Sequence, residues 1–304
     1  MSPLACRQCG NTDGPFTRDG LCEDCEDGPG AAAPVEVEPG LYNIPAEQYH
    51  ADPIPGGSLS STGARKLITE CPAKFKHWLD NPQPHNKALE LGTAAHKLVL
   101  DDGPELVLVD APRWDTDALK VEVAAIRAAG DIPLKRHEFE QVRAMAKALR
   151  ADEDAARLLE PGSGLAEQSA FWEDNGVWRR CRFDWLRDDG QIVDYKSARS
   201  CRREDLEKAF NEHGYHQQQD WYEEAGAALD VADPERPMQF VVQEKDPPYL
   251  VVVTTCDPMA RGIGRHLNEV ALNTYAICRE RGEWPGYLPN PMISLPPWVE
   301  RQYA

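Results

Sequence analysis

The stretch from Leu165 to Ser197 limits the fold of this chain more than any other. Three runs of strand length, LAEQSAFWED, GVWRRCRFDWL and QIVDYKS, follow one another closely. Asp174-Asn175-Gly176 and Asp188-Asp189-Gly190 stand between them and supply turn residues, so the spacing predicts three successive strands. Upstream, Ser60 or Ser61 can cap a short helix in LSSTGARKLIT, and Pro72 suits the first turn of another ending near Trp78. Ala88 to Leu100 reads as a buried helix, with further helices over 117–129 and, broken once, over 135–159. Downstream come helices near 203–211 and 215–229, strands in MQFVVQEK and YLVVVTTC, and a long helix from Pro258 to Arg281. The order α, β-β-β, α, β predicts an α/β core with helices around a central sheet.

Residues 1–27 have almost no apolar periodicity, but they hold Cys6, Cys9, Cys22 and Cys25 in a C-x2-C-x12-C-x2-C pattern. Two such knuckles can present four thiolates to one tetrahedral Zn²⁺, a closed set with no open position for catalysis. A segment this short cannot bury an adequate core, so metal would hold it folded. The expectation is a small zinc-ribbon-like module over 1–27, an extended linker over 28–40 and one large domain over 41–304. Residues 1–40 carry eight acids against Arg7 and Arg18, which suits a protein partner better than phosphate. The whole chain, with 33 Lys and Arg against 51 Asp and Glu, is −18, which excludes coating nucleic acid or anionic membrane by net charge. No apolar run approaches a membrane span and the N-terminus lacks a signal-peptide layout, so a cytoplasmic location is expected, with no membrane partner.

The chemistry-bearing segment is RRCRFDWLRDDGQIVDYKSARS. Asp184 falls in the second predicted strand and Asp194 in the third, with Lys196 two residues on and therefore on the same face as Asp194. Adjacent strands can bring the two aspartates together, and a divalent cation relieves their repulsion. Oxygen ligands suit Mg²⁺ or Mn²⁺, and a lysine beside the metal can orient an attacking hydroxide. Residues 179–208 hold nine cations against seven acids, a local basic excess that suits an enclosed polyanion.

Five matches in order extend this reading. They are LSSTGARKLITECPAKFKHWL, LELGTAAHKLVLD with Gly92 and His96, CRFDWLRDDGQIVDYKS, YHQQQDWYEEA with Gln218 and Tyr222, and QFVVQEKDPPYLVVV. Over roughly residues 41–290 the chain resembles the PD-(D/E)xK nuclease superfamily, in its RecB-like branch and within that the RecE-type phage exonucleases (exodeoxyribonuclease VIII-like). The sequence departs from the pattern at Phe183, where the superfamily name places proline. It also lacks the close late cysteines of the iron–sulfur members, since only Cys256 and Cys278 lie late.

The resemblance implies a restriction-endonuclease-like core, a mixed sheet flanked by helices. It implies that His96, Asp184 and Asp194 ligate Mg²⁺ or Mn²⁺ with the Tyr195 carbonyl, and that Lys196 positions water and offsets transition-state charge. Gln218 and Tyr222 would brace the site or touch the DNA backbone, and Glu167 stands as a second-tier candidate. The implied activity is hydrolysis of linear double-stranded DNA from its ends, 5′ to 3′, in phage-type recombination inside a bacterial host. A single-strand annealing protein is the implied partner, and a homo-oligomeric ring the implied assembly. A structure- or sequence-specific endonuclease of the same fold, or a non-catalytic adaptor recruited through its zinc finger, are the alternatives.

Overall fold

A computed structural model describes residues 37–81, 87–287 and 292–303. The four paired cysteines, the zinc module expected over 1–27 and most of the expected linker lie outside the described residues. The chain divides into two compact units, Met1–Glu38 with Pro53–Gly57, and Pro39–Asp52 with Ser58–Ala304. The larger unit carries everything that follows.

In chain order it begins with β1 (Gly40–Tyr42), α1 (Ala46–His50), β2 (Leu59–Ser60), α2 (Ser61–Thr69), α3 (Pro72–Asp80) and α4 (Lys87–Leu100). Then come β3 (Leu106–Leu108), α5 (Asp117–Ala128), β4 (Ile132–Leu134), α6 (Arg136–Ala151) and α7 (Glu153–Leu158). The central strands are β5 (Gly164–Asp174), β6 (Val177–Arg187) and β7 (Ile192–Ala198). After them follow α8 (Arg203–Glu212), α9 (Tyr215–Ala228), β8 (Gln239–Glu244), β9 (Val251–Thr254), α10 (Pro258–Arg281) and α11 (Pro297–Tyr303).

The local chemistry explains the main boundaries. Ser60 caps α2 by accepting from the Gly63 amide, and Pro72 opens α3. The expected helix over 135–159 breaks at Asp152, which leaves α6 and caps α7 through the Ala155 amide. Asn175 and Gly176, both at positive φ, turn β5 into β6, a pattern that matches the twist of paired strands. Gly190, at φ 78°, closes the turn from β6 to β7.

The sheet runs β1-β5-β6-β7-β8-β9, antiparallel except for the parallel pair β7 and β8. A central mixed sheet flanked by helices is thus the architecture. One edge of β6 serves two neighbours. Its start pairs in parallel with β2 at Arg179 and Arg180, and its end pairs with β7 at Trp185 and Leu186. Between these contacts β6 lacks a ladder partner on that side, and β7 diverges from it beyond Val193.

Each sheet face buries its own core. Leu59, Phe75, Trp172, Phe183, Trp221 and Phe240 form one, while Ala94, Ala95, Leu134, Val142, Met145, Trp185 and Val241 form the other. Phe183 and Trp185 are two apart on one strand, yet they serve opposite cores. The same reversal separates Ala166 from Ala170 on β5. Regular strands keep residues two apart on one face, so both strands rotate at the level of Glu167 and Asp184. Glu167 has φ 52°, a left-handed conformation that costs a non-glycine residue about 1 kcal/mol or more. The register is unchanged across it, with Ala166 opposite Trp185 and Gln168 opposite Phe183. Among the described residues no helix is long and apolar enough to cross a membrane.

Candidate active site

The rotation of β5 and β6 and the parting of β6 from β7 happen at one place, and there the ionisable groups gather. Register sets Glu167 across from Asp184, and the broken ladder leaves the Tyr195 amide without a strand partner. Asp184 supplies one, its Oδ2 accepting from Tyr195 N at 2.9 Å. From the opposite layer α4 brings His96, anchored by the fully buried Ala94 and Ala95 beside it. Its Nε2 lies 2.9 Å from Asp184 Oδ2 and its Nδ1 3.0 Å from Glu167 Oε1. Glu167 is held in turn by Arg182 Nε, and Arg182 is braced by the Ile44 carbonyl at 2.9 Å and Ser169 Oγ at 2.6 Å.

Asp194 and Lys196 occupy the other side of the opening. Lys196 Nζ is 2.5 Å from Asp194 Oδ2, and Gln218 Nε2 on α9 donates to Asp194 Oδ1 at 2.5 Å. Tyr222, one turn after Gln218, packs edge-on against Phe183. The Tyr195 side chain points away, its hydroxyl donating to Gln243 Oε1 at 2.8 Å within the second core.

Electrostatics distinguishes the two aspartates. Burial alone would lower the His96 pKa, but the Asp184 charge and hydrogen bonds to both carboxylates outweigh it and raise it to about 10. Burial likewise opposes ionisation of Asp184, yet His96, Lys196 and the Tyr195 amide keep it below the ordinary carboxylate value. For Asp194, burial and then the Asp184 charge win over Lys196, and its pKa rises to about 7. Lys196, despite burial, is raised to about 12 by Asp194 and Asp184 and stays charged.

His96, Glu167 and Asp184 each offer a ligand atom within 4.8 Å of the others. One imidazole and two carboxylates suit a hard or borderline divalent cation, and the proton shared by His96 marks where positive charge is favoured. Asp194 faces Lys196 and Gln218 rather than this trio. Glu167, second-tier by sequence, is therefore brought into the cluster, and the signal that finds it is its register position opposite Asp184. Gly92, one turn before His96, lines the same cleft of about 1100 Å³, as do Glu167, Tyr195 and Lys196.

The basic excess over 179–208 does not form one patch. Arg179 is buried against Trp172 and Trp221 and pairs with Glu224 and Asp174, while Arg180 pairs with Asp52. Arg187 pairs with Asp189, and Arg202 and Arg203 with Glu204 and Glu207. The desolvated guanidinium groups of Arg179, Arg180 and Arg187 need carboxylates and have found them, while Arg202 and Arg203 pair at the exposed surface. Arg199 and Lys208 remain at a second hollow beside Lys196, which Asp205, Glu212 and Asp246 also line.

Residues 60–289 match the sequence profile of a family described as PDDEXK-like domain of unknown function (DUF3799). The chain belongs to that family. The matched span includes every candidate residue just described. The PDDEXK-like domain also superposes on a crystal structure from Eubacterium rectale described as a "putative exonuclease", with a TM-score of 0.55 and 14% identity. That similarity covers 86% of this chain and 99% of the other, and at such identity it bears on fold alone. No curated protein matches the chain.

Proposed function

We propose that this PDDEXK-like domain is a Mg²⁺-dependent deoxyribonuclease that hydrolyses linear double-stranded DNA from its ends, with 5′ to 3′ the polarity that its family resemblance implies. The observation that carries the reading is a charged lysine, Lys196, paired with a buried carboxylate beside a His96–Glu167–Asp184 cluster. His96, Glu167 and Asp184 would hold the ion, with Asp194 and the Tyr195 carbonyl the further donors that the resemblance implies. A bound divalent ion supplies Lewis-acid polarisation of a phosphoryl oxygen and lowers the pKa of water. Lys196 keeps its proton and offers positive charge to the phosphate as negative charge builds up on its oxygens. Asp194 fixes the ammonium, and Gln218 fixes Asp194. Recombination of phage type, with a strand-annealing partner, is the setting that the same resemblance suggests.

The test is purified protein with Mg²⁺ on end-labelled linear duplex, with closed circular DNA beside it. The expected result is nucleotide release from linear DNA alone, abolished by EDTA. Lys196→Ala and Asp194→Ala should each lower the rate by about 100-fold or more in folded protein. Near-normal cleavage by folded Asp194→Ala would remove that residue from the mechanism, and cutting of circles would convert the reading to an endonuclease.

A further inference from the structure

The carboxylate of Glu167 divides its two oxygens between different partners. Oε1 faces His96 Nδ1 at 3.0 Å, on the side where the ion donors converge, while Oε2 accepts from Arg182 Nε. Arg182 stands opposite Ser169 on β5, and Ser169 in turn stands opposite Tyr42 on β1. Its Nη1 donates to the Ser169 hydroxyl at 2.6 Å and to the Ile44 carbonyl at 2.9 Å. One guanidinium therefore ties β6 to β5 and to the segment that follows β1. Ser169 is fully buried, and neither the Glu167 nor the Arg182 side chain is more than 16% exposed. The tether also opposes relaxation of the left-handed Glu167 backbone, at φ 52°, toward the extended form that a strand favours.

A carboxylate with both oxygens free can grip a cation through both. Ca²⁺, with its larger and looser oxygen shell, accepts that grip. Mg²⁺ and Mn²⁺ hold octahedral shells, and a two-oxygen grip subtends too small an angle for them. With Oε2 held by Arg182, Glu167 has only Oε1 to offer. We propose that Arg182 is a specificity-determining positioning residue: by holding Oε2 it biases the His96–Glu167–Asp184 centre toward small octahedral cations and against Ca²⁺. The inference rests on that trio holding the ion, as in the nuclease reading above. A guanidinium this close also repels cations, but repulsion acts on both divalent ions alike. The ratio of their affinities isolates the positioning.

The test measures Mn²⁺ binding to the full chain by electron paramagnetic resonance, with Ca²⁺ as competitor and no DNA present. The part of the signal lost in His96→Asn defines the site. Arg182→Gln should weaken Mn²⁺ binding and affect Ca²⁺ much less, so that the preference for Mn²⁺ falls by about 10-fold. Arg182→Lys keeps the charge without the planar fork and should lower the preference as well. In a Glu167→Gln background, Arg182→Gln should change the preference no further. An unchanged preference in folded Arg182→Gln, full restoration by lysine, or a loss that persists without the Glu167 carboxylate would each overturn the proposal. Should Arg182→Gln unfold, Ser169→Ala removes one brace and should lower the preference about threefold, and no change there overturns the proposal equally. A wild type with no His96-dependent Mn²⁺ signal removes the ion site and the proposal together. Failure to cleave DNA despite the expected shift in preference sinks the nuclease reading and leaves the proposal standing.

Discussion

His96 carries the most informative proton in the molecule. Its pKa of about 10 lies above the ordinary imidazole value, so the folded state binds that proton more tightly than the unfolded chain does. The resulting stability is fully present below about pH 6.5 and is lost as pH rises through about 10. Melting temperatures of metal-free protein should therefore decline over that window, and a folded His96→Asn variant should flatten the decline. A divalent ion at the same donors must displace the proton, so affinity for Mn²⁺ should increase with pH and binding should release a proton measurable by calorimetry in buffers of different ionisation enthalpy. An unchanged proton count would place the ion elsewhere. Strand spacing in the sequence exposed Asp184, Asp194 and Lys196 as candidates, and His96 was added only by the family resemblance. Neither exposed the bond from His96 to Glu167, which depends on two strands meeting a helix from another part of the chain.

At the scale of elements, the long runs were legible and the short ones were not. The strands β5, β6 and β7 carry apolar runs between turn residues, so each lies within a residue or two of its expected bounds. The strands β1, β2, β3 and β4 hold two or three residues each, too few for a period to register, and their pairing is decided by what lies beside them. The rotation at Glu167 was hidden for another reason: a left-handed residue inside a strand is ordinarily announced by glycine, and here it is glutamate. Helix packing behind the site offers a direct test. Gly264 on α10 lies against α9, where a Cβ would collide with the His216 carbonyl oxygen, and Asn268 one turn on bonds the Gln217 carbonyl and Asp220. Gly264→Ala gains helix propensity but forces the helices apart, and the collision should win by roughly 1–3 kcal/mol. Because α9 carries Gln218, the same variant should also lower turnover. Denaturant unfolding and a cleavage assay read both effects, and an undiminished unfolding midpoint would show that the helices yield freely.

For the whole molecule, charge was legible in amount but not in placement. The sequence total of −18 is plain, whereas the arginines that suggested a basic groove are mostly committed to carboxylates inside the fold. The cations left facing the opening are few, with Lys196 and Arg65 among them. Under the proposed activity, such a molecule would meet DNA as one polyanion meets another, and its attraction would begin only at short range. Added salt then acts twice: it first screens the long-range repulsion and hastens encounter, and later weakens the local phosphate contacts. The second-order rate of cleavage should therefore pass through a maximum as ionic strength rises, where a broadly basic nuclease would only slow. A steady fall from the lowest salt would mean that the approach to DNA is governed by a cationic surface, and a peak would mean that the enzyme works fastest where its own charge is partly hidden.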